Sequence, residues 1–146
     1  MFHREKFIPK TELAKIVKSI EEAERNTSGE IRVHIEKICK SADPLERAVS
    51  IFSKLKMDRT KERNGVLIYI AYKSKKLAII GDIGINSKVP ENFWQETKDI
   101  LIEGIKSGNE VDSICRAVID AGMKLKEFFP YTKDDKNEQS NEVSIG

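Results

Sequence analysis

Four polar residues at the ends of predicted strands have side chains suited to binding a cation or a phosphate group. Glu30 immediately precedes the first predicted strand, Arg63 and Asn64 precede the second, and Asp82 follows the third. The first two strands are expected to be parallel and the third to run antiparallel, which brings all four residues to one end of the sheet. Carboxylate and amide oxygens suit calcium or magnesium, and a guanidinium can hold a phosphate oxygen.

Each of these residues also has an interpretation in which it only supports the fold. Glu30 could form an ion pair with Arg63 that closes a loop. Asn64 could belong to a turn with Gly65, and Asp82 could cap the turn that follows it. Ligands of open α/β sheets usually bind at the carboxyl ends of the parallel strands, whereas this cluster is expected at their amino ends. Both interpretations stay open at the level of the sequence.

The two histidines, His3 and His34, give a weaker indication of function than these four residues. His34 alternates with Arg32 and Glu36 on the less apolar side of the first strand, so the pattern predicts a semi-exposed residue that is neither a catalyst nor a ligand. The sequence contains no glycine-rich phosphate loop, no paired-cysteine metal motif and no His-Glu-x-x-His. These absences argue against a zinc enzyme and against a histidine-based nucleophilic triad.

Hydrophobic periodicity predicts the elements that must position these residues. Helices are expected over residues 11–25, from Asp43-Pro44 onwards, from Pro90 to about Gly108, and from there to Pro130. Strands are expected over residues 31–36, 66–72 and 76–80, with a short fourth edge strand at residues 83–86.

This order of elements predicts a three-layer α/β/α sandwich around a small mixed β-sheet, with the strands in the order 1-2-3. Residues 1–130 would form one domain, and residues 131–146, which are poor in apolar side chains, would form a disordered polar tail.

Composition supports a single domain without assigning an activity. The chain has 146 residues and a formal net charge of +2, and its longest apolar run, residues 66–72, is far too short to span a membrane. No apolar signal core stands at the N-terminus, so the sequence predicts a cytoplasmic protein. Cys39 and Cys115 lack the spacing of a metal site, and a disulfide between them is the less favoured interpretation.

The small net charge conceals an uneven distribution along the chain. Residues 1–76 carry 18 basic and 11 acidic side chains, whereas residues 77–146 carry 8 and 13. The excess of positive charge is concentrated in residues 54–63, which could attract phosphate or an acidic protein partner. Basic residues are also common at helix ends. Nucleic acid is not an expected partner, because the segment lacks interleaved aromatic residues and a recognised nucleic-acid signature. A membrane is not an expected partner either, because the longest apolar run is too short to span one.

Several segments together resemble the TPM domain family, also described as TPM phosphatases. The resemblance covers about residues 10–130 and rests on the order and spacing of its segments, which are residues 27–33, Asp43-Pro44 with Ala48 and Phe52, residues 57–67, residues 80–85, Trp94 and residues 128–130.

The resemblance implies an α/β/α fold, a divalent cation (calcium or magnesium) and acid phosphatase activity. The family motifs coincide with the four residues at the predicted convergent end, and Thr60 and Asp58 are expected near the same pocket. The signal peptide, membrane helix and glycine-rich tail of many members are missing here, so the sequence looks like a stand-alone cytoplasmic member.

Two hypotheses for the function follow. In the first, a divalent-cation-dependent phosphatase acts on phosphomonoesters, with Glu30 and Asp82 holding the metal, Asp82 also polarising water and Arg63 stabilising the phosphoryl charge. Asn64 and Thr60 then complete the ligand site. In the second, the protein is a non-enzymatic calcium- or magnesium-binding module that meets a protein partner through residues 54–63. The lack of an obvious nucleophile with a paired base weakens the first hypothesis.

Overall fold

A computed structural model describes residues 8–131 and 141–146 of the chain. The helices of these residues are α1 (Lys10–Glu24), α2 (Pro44–Lys54), α3 (Ile83–Asn86), α4 (Gln95–Ser107) and α5 (Glu110–Phe128), with a 3₁₀ turn at Met57–Arg59. The strands are β1 (Glu30–Glu36), β2 (Gly65–Ala71), β3 (Lys76–Gly81) and β4 (Ser144–Ile145).

The strands form one mixed sheet in the order β3-β2-β1-β4. β1 and β2 are parallel along their whole length, from Glu30 opposite Gly65 to Glu36 opposite Ala71. β3 runs antiparallel to β2, and β4 runs parallel to β1 on its other side. The predicted α/β sandwich, the parallel pair and the hairpin are therefore confirmed, and β4 is added to the expected order.

Two hydrophobic clusters cover the two faces of the sheet. The larger one joins α1, α4 and α5 to one face. The smaller one joins α2 and the 3₁₀ turn to the other face, through residues such as Phe52, Met57 and Leu67. All seven residues of β2 are buried because this strand lies centrally between both layers. α2 packs over β2 and β3, so the same face of β1 is left to polar side chains.

Residues 83–86 form α3, so the prediction of an edge strand there is wrong. The side chain of Asp82 accepts a hydrogen bond of 2.7 Å from the backbone N–H of Ile83, which caps the helix. Asn86 then continues the helical pattern, with its N–H donating to the carbonyl of Asp82 at 3.0 Å. Local capping therefore prevails over the β-propensity of the two isoleucines in this segment.

α4 begins at Gln95, five residues later than the position predicted from Pro90. Before it, the N–H of Phe93 bonds the carbonyl of Pro90 and the N–H of Gln95 bonds that of Asn92, at 3.1 Å each. These bonds span three residues and close turns, whereas an α-helix needs bonds that span four.

The segment predicted to be a disordered tail is described only at its end. Residues 132–140 lie outside the described residues. Ser144–Ile145 pair with β1, so the prediction of disorder is wrong for the end of this segment.

Cys39 and Cys115 are free thiols. Among the described helices, none combines the length and the apolar character needed to cross a membrane.

Candidate functional site

Arg63 and Asp82 form a bidentate ion pair beside the amino ends of β1 and β2. Arg63 Nε donates to Asp82 Oδ2 at 2.7 Å, and Arg63 Nη2 donates to Oδ1 at 2.9 Å. The Asp82 side chain is buried, whereas 40% of the Arg63 side chain is exposed. The hydrogen bonds to Asp82 raise the pKa of Arg63, and the charges of Asp82 and Asp58 add to this effect. The guanidinium is thus oriented by Asp82 while part of it faces solvent.

A tight turn brings Arg63 to this position. Arg63 has a left-handed backbone conformation (φ 51°), and its N–H donates to the carbonyl of Thr60 at 3.2 Å. The Arg63 carbonyl in turn accepts the N–H of Gly84 at 2.9 Å. A Cβ atom on Gly84 would lie 2.2 Å from the carbonyl oxygen of Glu62. Only glycine allows α3 to approach the turn this closely.

Thr60 and Asn64 are buried, and their recorded hydrogen bonds stabilise loops. Thr60 Oγ1 accepts the N–H of Asn64 at 3.3 Å. Asn64 Nδ2 donates to the carbonyl of Ser28 at 3.3 Å, which connects the turn before β2 to the loop before β1. Both residues therefore lie next to the predicted site, where they hold its two loops together.

Glu30 and Asp82 stand on opposite sides of Gly65. Glu30 pairs with Gly65 in the parallel register, and the N–H of Asp82 donates to the carbonyl of Gly65 at 2.9 Å. Two strand spacings, or about 9.6 Å, therefore separate their backbones. The side chain of Met57 packs over Gly65, with its Cε 3.6 Å from the position of a Cβ atom on that glycine. The bidentate ion pair of Arg63 is made with Asp82.

Glu24 is a carboxylate at the start of β1 that sequence reasoning missed, and it lies on the edge of this strand that faces away from β2. Its Oε2 accepts the N–H of Ile31 at 2.8 Å, which places it at the start of β1. Burial raises the pKa of Glu24 to about 8, and the negative charges of Glu30 and Glu21 act in the same direction. The available signal was the position of Glu24 as the last residue of α1, where the helix dipole disfavours a negative charge.

These residues fit a divalent cation only in part. Glu24 and Glu30 provide hard oxygen donors whose charges repel each other, and a cation would relieve this repulsion. Asp82 already accepts three hydrogen bonds, so it would have to release Arg63 to bind a metal. Within residues 8–131 and 141–146, no cluster of three or more His, Cys, Asp and Glu side chains is arranged to hold a metal ion.

A basic surface formed by residues 54–63 leads into this site. Lys54, Lys56, Arg59 and Lys61 are all exposed, and the segment continues directly into the half-exposed Arg63. These positive charges are therefore close to Arg63 along the chain, where they can favour the approach of an anion.

A second polar cluster lies at the opposite end of β1 and was not predicted. Glu36 accepts hydrogen bonds from Arg47 Nε at 2.9 Å and from Nη2 at 2.8 Å, and it also accepts the hydroxyl of Tyr69. Burial by itself would raise the pKa of Glu36, but the bonds from Arg47, Tyr69 and His34 outweigh it and lower the pKa to about 2. The carboxylate therefore stays ionised although only 3% of the residue is exposed.

His34 belongs to this second cluster, and the prediction that it is semi-exposed is wrong. The residue is buried, with Nδ1 2.9 Å from Ser144 Oγ and Nε2 3.4 Å from Glu36 Oε1. Burial lowers the pKa of its imidazole, against the opposing effect of Glu36. The period-two pattern cannot reveal this burial because the cover includes β4, which comes from a segment 110 residues away.

The fold and its sites define an α/β/α sandwich domain whose mixed sheet carries a polar cluster at each end of β1. The chain belongs to the TPM domain family, whose sequence profile matches residues 1–124. The resemblance seen in the sequence is thereby confirmed.

Among solved structures, the chain is similar to the NMR structure of the BA42 protein from the psychrophilic bacterium Bizionia argentinensis. The two share 44% identity and a TM-score of 0.91, with all of both chains covered. No curated protein sequence matches the chain.

Proposed function

We propose that this TPM domain is a divalent-cation-dependent phosphatase that acts on phosphomonoesters at the amino ends of β1 and β2. The observation that carries this proposal is the half-exposed Arg63 guanidinium, which Asp82 orients beside the amino ends of β1 and β2. The carboxylates of Glu24 and Glu30 lie at the start of β1 and act on each other. One end of the site suits a phosphate oxygen, and the other suits a cation. The basic surface of residues 54–63 attracts the anion to this position.

Arg63 binds the phosphoryl group in this proposal. Two of its N–H groups are fixed by Asp82, which leaves the outer part of the guanidinium available to a phosphate oxygen. A preoriented cation stabilises the charge of the phosphoryl group in the transition state without reorganising. Asn64 and Thr60 maintain the position of the turn that carries Arg63.

Calcium or magnesium, when bound, supplies Lewis-acid stabilisation of the phosphoryl oxygens and a more acidic water molecule. Glu24 and Glu30 would hold the cation, and Glu24 would lose the proton that its pKa of about 8 keeps on it at neutral pH. Asp82 keeps its two hydrogen bonds to Arg63 and thereby holds the guanidinium in place.

A second candidate is a non-enzymatic calcium- or magnesium-binding module that meets a protein partner through residues 54–63. The observation that favours it is the position of His34, the histidine of the described residues, which lies at the opposite end of β1 from Arg63. No histidine of that part of the chain therefore serves as a base at the proposed site. In both versions the protein acts in the cytoplasm, which the free thiols of Cys39 and Cys115 support.

The test combines NMR with hydrolysis of p-nitrophenyl phosphate. Calcium and magnesium are titrated into ¹⁵N-labelled protein, and we expect the amides of Glu30, Ile31 and Asp82 to shift. Hydrolysis is then compared between wild type and Arg63→Gln, with Lys106→Gln on exposed α4 surface as a charge-matched control. We expect Arg63→Gln to lose activity about a hundredfold.

The outcomes separate the two candidates. If the amides shift with metal but wild type and Arg63→Gln hydrolyse the substrate equally, the phosphatase is refuted and the binding module is supported. Absence of shifts with either metal refutes both the cation site and the phosphatase.

A further inference from the structure

A weakly attached segment covers the ring of His34 at the outer edge of β1. Residues 144–146, the strap, pair with this strand at two positions, Ser144 opposite His34 and Ile145 opposite Ile35. One further backbone bond runs from the N–H of Gly146 to the carbonyl of Ile35 at 2.9 Å. Strands usually have five or six residues, so a ladder of two is a weak attachment.

The strap nevertheless lies directly against the imidazole. Ser144 Oγ is 2.9 Å from His34 Nδ1. A Cβ atom on Gly146 would lie 2.5 Å from His34 Nε2, so the backbone of the strap approaches this nitrogen more closely than a side chain would allow. With the strap in place, only 5% of His34 is exposed.

The neutral form of the ring suits both of its hydrogen-bond contacts. Oε1 of Glu36 lies 3.4 Å from His34 Nε2, and this carboxylate is ionised because its pKa is lowered to about 2. An ionised carboxylate only accepts hydrogen bonds, so the proton of the neutral ring belongs on Nε2, and Nδ1 accepts the hydroxyl of Ser144. The closed strap therefore favours an uncharged imidazole with one defined tautomer.

A second proton on this ring is opposed by its surroundings. Charged and titratable groups stand around it on each neighbouring element, and these are Arg32 and Glu36 on β1, Arg47 on α2, Tyr69 on β2 and Glu142 before the strap. Burial is the main cause that lowers the pKa of the imidazole, and the charges of Arg47 and Arg32 act in the same direction against Glu36. Because the net effect lowers the pKa below 6.5, a protonated ring and a closed strap disfavour each other.

Among the elements that cover the ring, the strap is the one that can leave at the lowest cost. The ring of Tyr69 stacks on His34 with centroids 6.0 Å apart, but Tyr69 is fully buried in the central strand. Arg47 belongs to α2, which packs over β2 and β3 and is tied to Glu36 by two hydrogen bonds. The strap has two ladder positions and one further backbone bond. Water therefore reaches a charged imidazole most easily when the strap detaches.

We propose that residues 144–146 form an acid-released strap, which detaches from β1 when His34 is protonated and closes again when the ring loses its proton. Release hydrates the imidazolium. It also removes Ile145 from a cavity of about 340 Å³ that this residue lines together with Ile8, Ile35 and Tyr72. Acid thus opens both the polar face of β1 and the adjacent apolar cavity to solvent.

The direction of the pH dependence follows from the lowered pKa. The closed strap has its full stability above pH 6.5 and loses it as the pH falls from 6.5 towards the midpoint of the ring. The strap lies at the opposite end of β1 from Arg63, so the proposal does not depend on phosphatase activity.

The test follows the ¹⁵N-labelled full chain by NMR between pH 7.5 and 4. We expect the amides of Ile145 and Gly146 to move to random-coil shifts with the same midpoint as the ring of His34, below pH 6.5. The amides of Ile68 and Ile70, which are buried in β2, should keep their shifts and thereby separate release from global unfolding.

Two variants test the coupling in opposite directions. Gly146→Val places a side chain against Nε2, so the strap should be released at every pH, and the ring midpoint should rise towards 6.5. If valine leaves the strap in place, Gly146→Pro removes the N–H that bonds Ile35 and serves instead. His34→Gln keeps a donor for Glu36 but takes up no proton, so its strap should stay closed down to pH 4. If glutamine does not hold the strap at pH 7.5, the ring midpoint of the Gly146 variant decides.

Two matched controls accompany these variants. Ile145→Val keeps the ladder and the glycine, so its ring midpoint should equal that of wild type. Glu142→Gln removes the other ionisable side chain of residues 141–146, and its strap should be released with the wild-type midpoint.

Four results would overturn the proposal. The first is a ring that titrates while the amides of Ile145 and Gly146 keep their shifts. The second is release in His34→Gln at the wild-type midpoint, since another group would then control the strap. The third is a released Gly146 variant whose ring midpoint is unchanged. The fourth is a ring that stays neutral until the β2 amides also shift, because its protonation would then accompany global unfolding.

Discussion

Replacing Glu24 by glutamine should stabilise the protein and remove most of its stability change between pH 4.5 and 8. The folded protein raises the pKa of this carboxyl from 4.5 to about 8, chiefly through burial. A group whose pKa is raised on folding contributes its full stabilisation below 4.5 and loses it as the pH rises through 8. Glutamine is neutral at every pH and keeps an oxygen to accept the N–H of Ile31.

The magnitude follows from the difference between the two pKa values. A difference of 3.5 units corresponds to up to about 5 kcal/mol above pH 8, and to roughly 3 kcal/mol at pH 7. Urea unfolding at pH 4.5, 6, 7 and 8.5 measures this free energy in wild type and in Glu24→Gln. The exposed neighbour Glu22, changed to glutamine, is the control for a general loss of negative charge from α1.

A flat difference between wild type and Glu24→Gln across these pH values would refute the reasoning, because Glu24 would then be ionised and solvated in the folded state. The same measurement bears on the cation. Calcium or magnesium favours the ionised carboxyl, so it should stabilise wild type most at pH 8 and Glu24→Gln much less. If the pH dependence is found but neither cation acts, the carboxyl of Glu24 is desolvated as described and the cation site is absent.

Three further predictions test the remaining contacts. Arg47→Met leaves the Glu36 carboxylate buried without its main partner, so the free energy of unfolding should fall by about 3 kcal/mol at pH 7 in urea titrations. This loss should shrink as the pH falls from 4.5 towards 2, where wild type also protonates Glu36 and loses the stabilisation of its lowered pKa. Gly84→Ala forces a Cβ atom against the carbonyl of Glu62 and should cost about 2 kcal/mol or more in thermal unfolding, whereas an exposed change such as Ser87→Ala should not. The ring of His34 should titrate with an NMR midpoint below pH 6.5, because burial lowers its pKa. The free energy of unfolding should then decrease as the pH falls from 6.5 towards that midpoint. A midpoint above 6.5 would show that the ring is not desolvated.

Local signals in the sequence were sufficient for most of the elements. The continuous apolar run of β2 indicated a strand buried on both faces, and Asp43-Pro44 marked the start of α2 with a capping side chain and a helix-compatible proline. Glycine at position 108 closes α4 in a left-handed conformation, as its place after the helix suggested. These features depend on a few neighbouring residues, so the sequence by itself determines them.

The directions and the order of the strands also predicted that Arg63 and Asp82 lie close together. Their predicted proximity is observed as a bidentate pair, because both residues stand at strand ends whose position follows from topology. The choice of partner did not follow from the sequence. Arg63 had two carboxylates within reach of its loop, and the backbone turn at Thr60 together with the close approach of Gly84 directs it to Asp82.

Burial of the polar residues was decided only by the tertiary structure. Period-two alternation shows that His34 and Glu36 share a face of β1, but it carries no information on what covers that face. The cover comes from Arg47 on α2, Tyr69 on β2 and the distant residues 144–146. The pKa of Glu24 likewise depends on a strand start that packs against the end of its helix. Desolvation and charge are properties of surroundings assembled from several segments, so they arise only when the chain has folded.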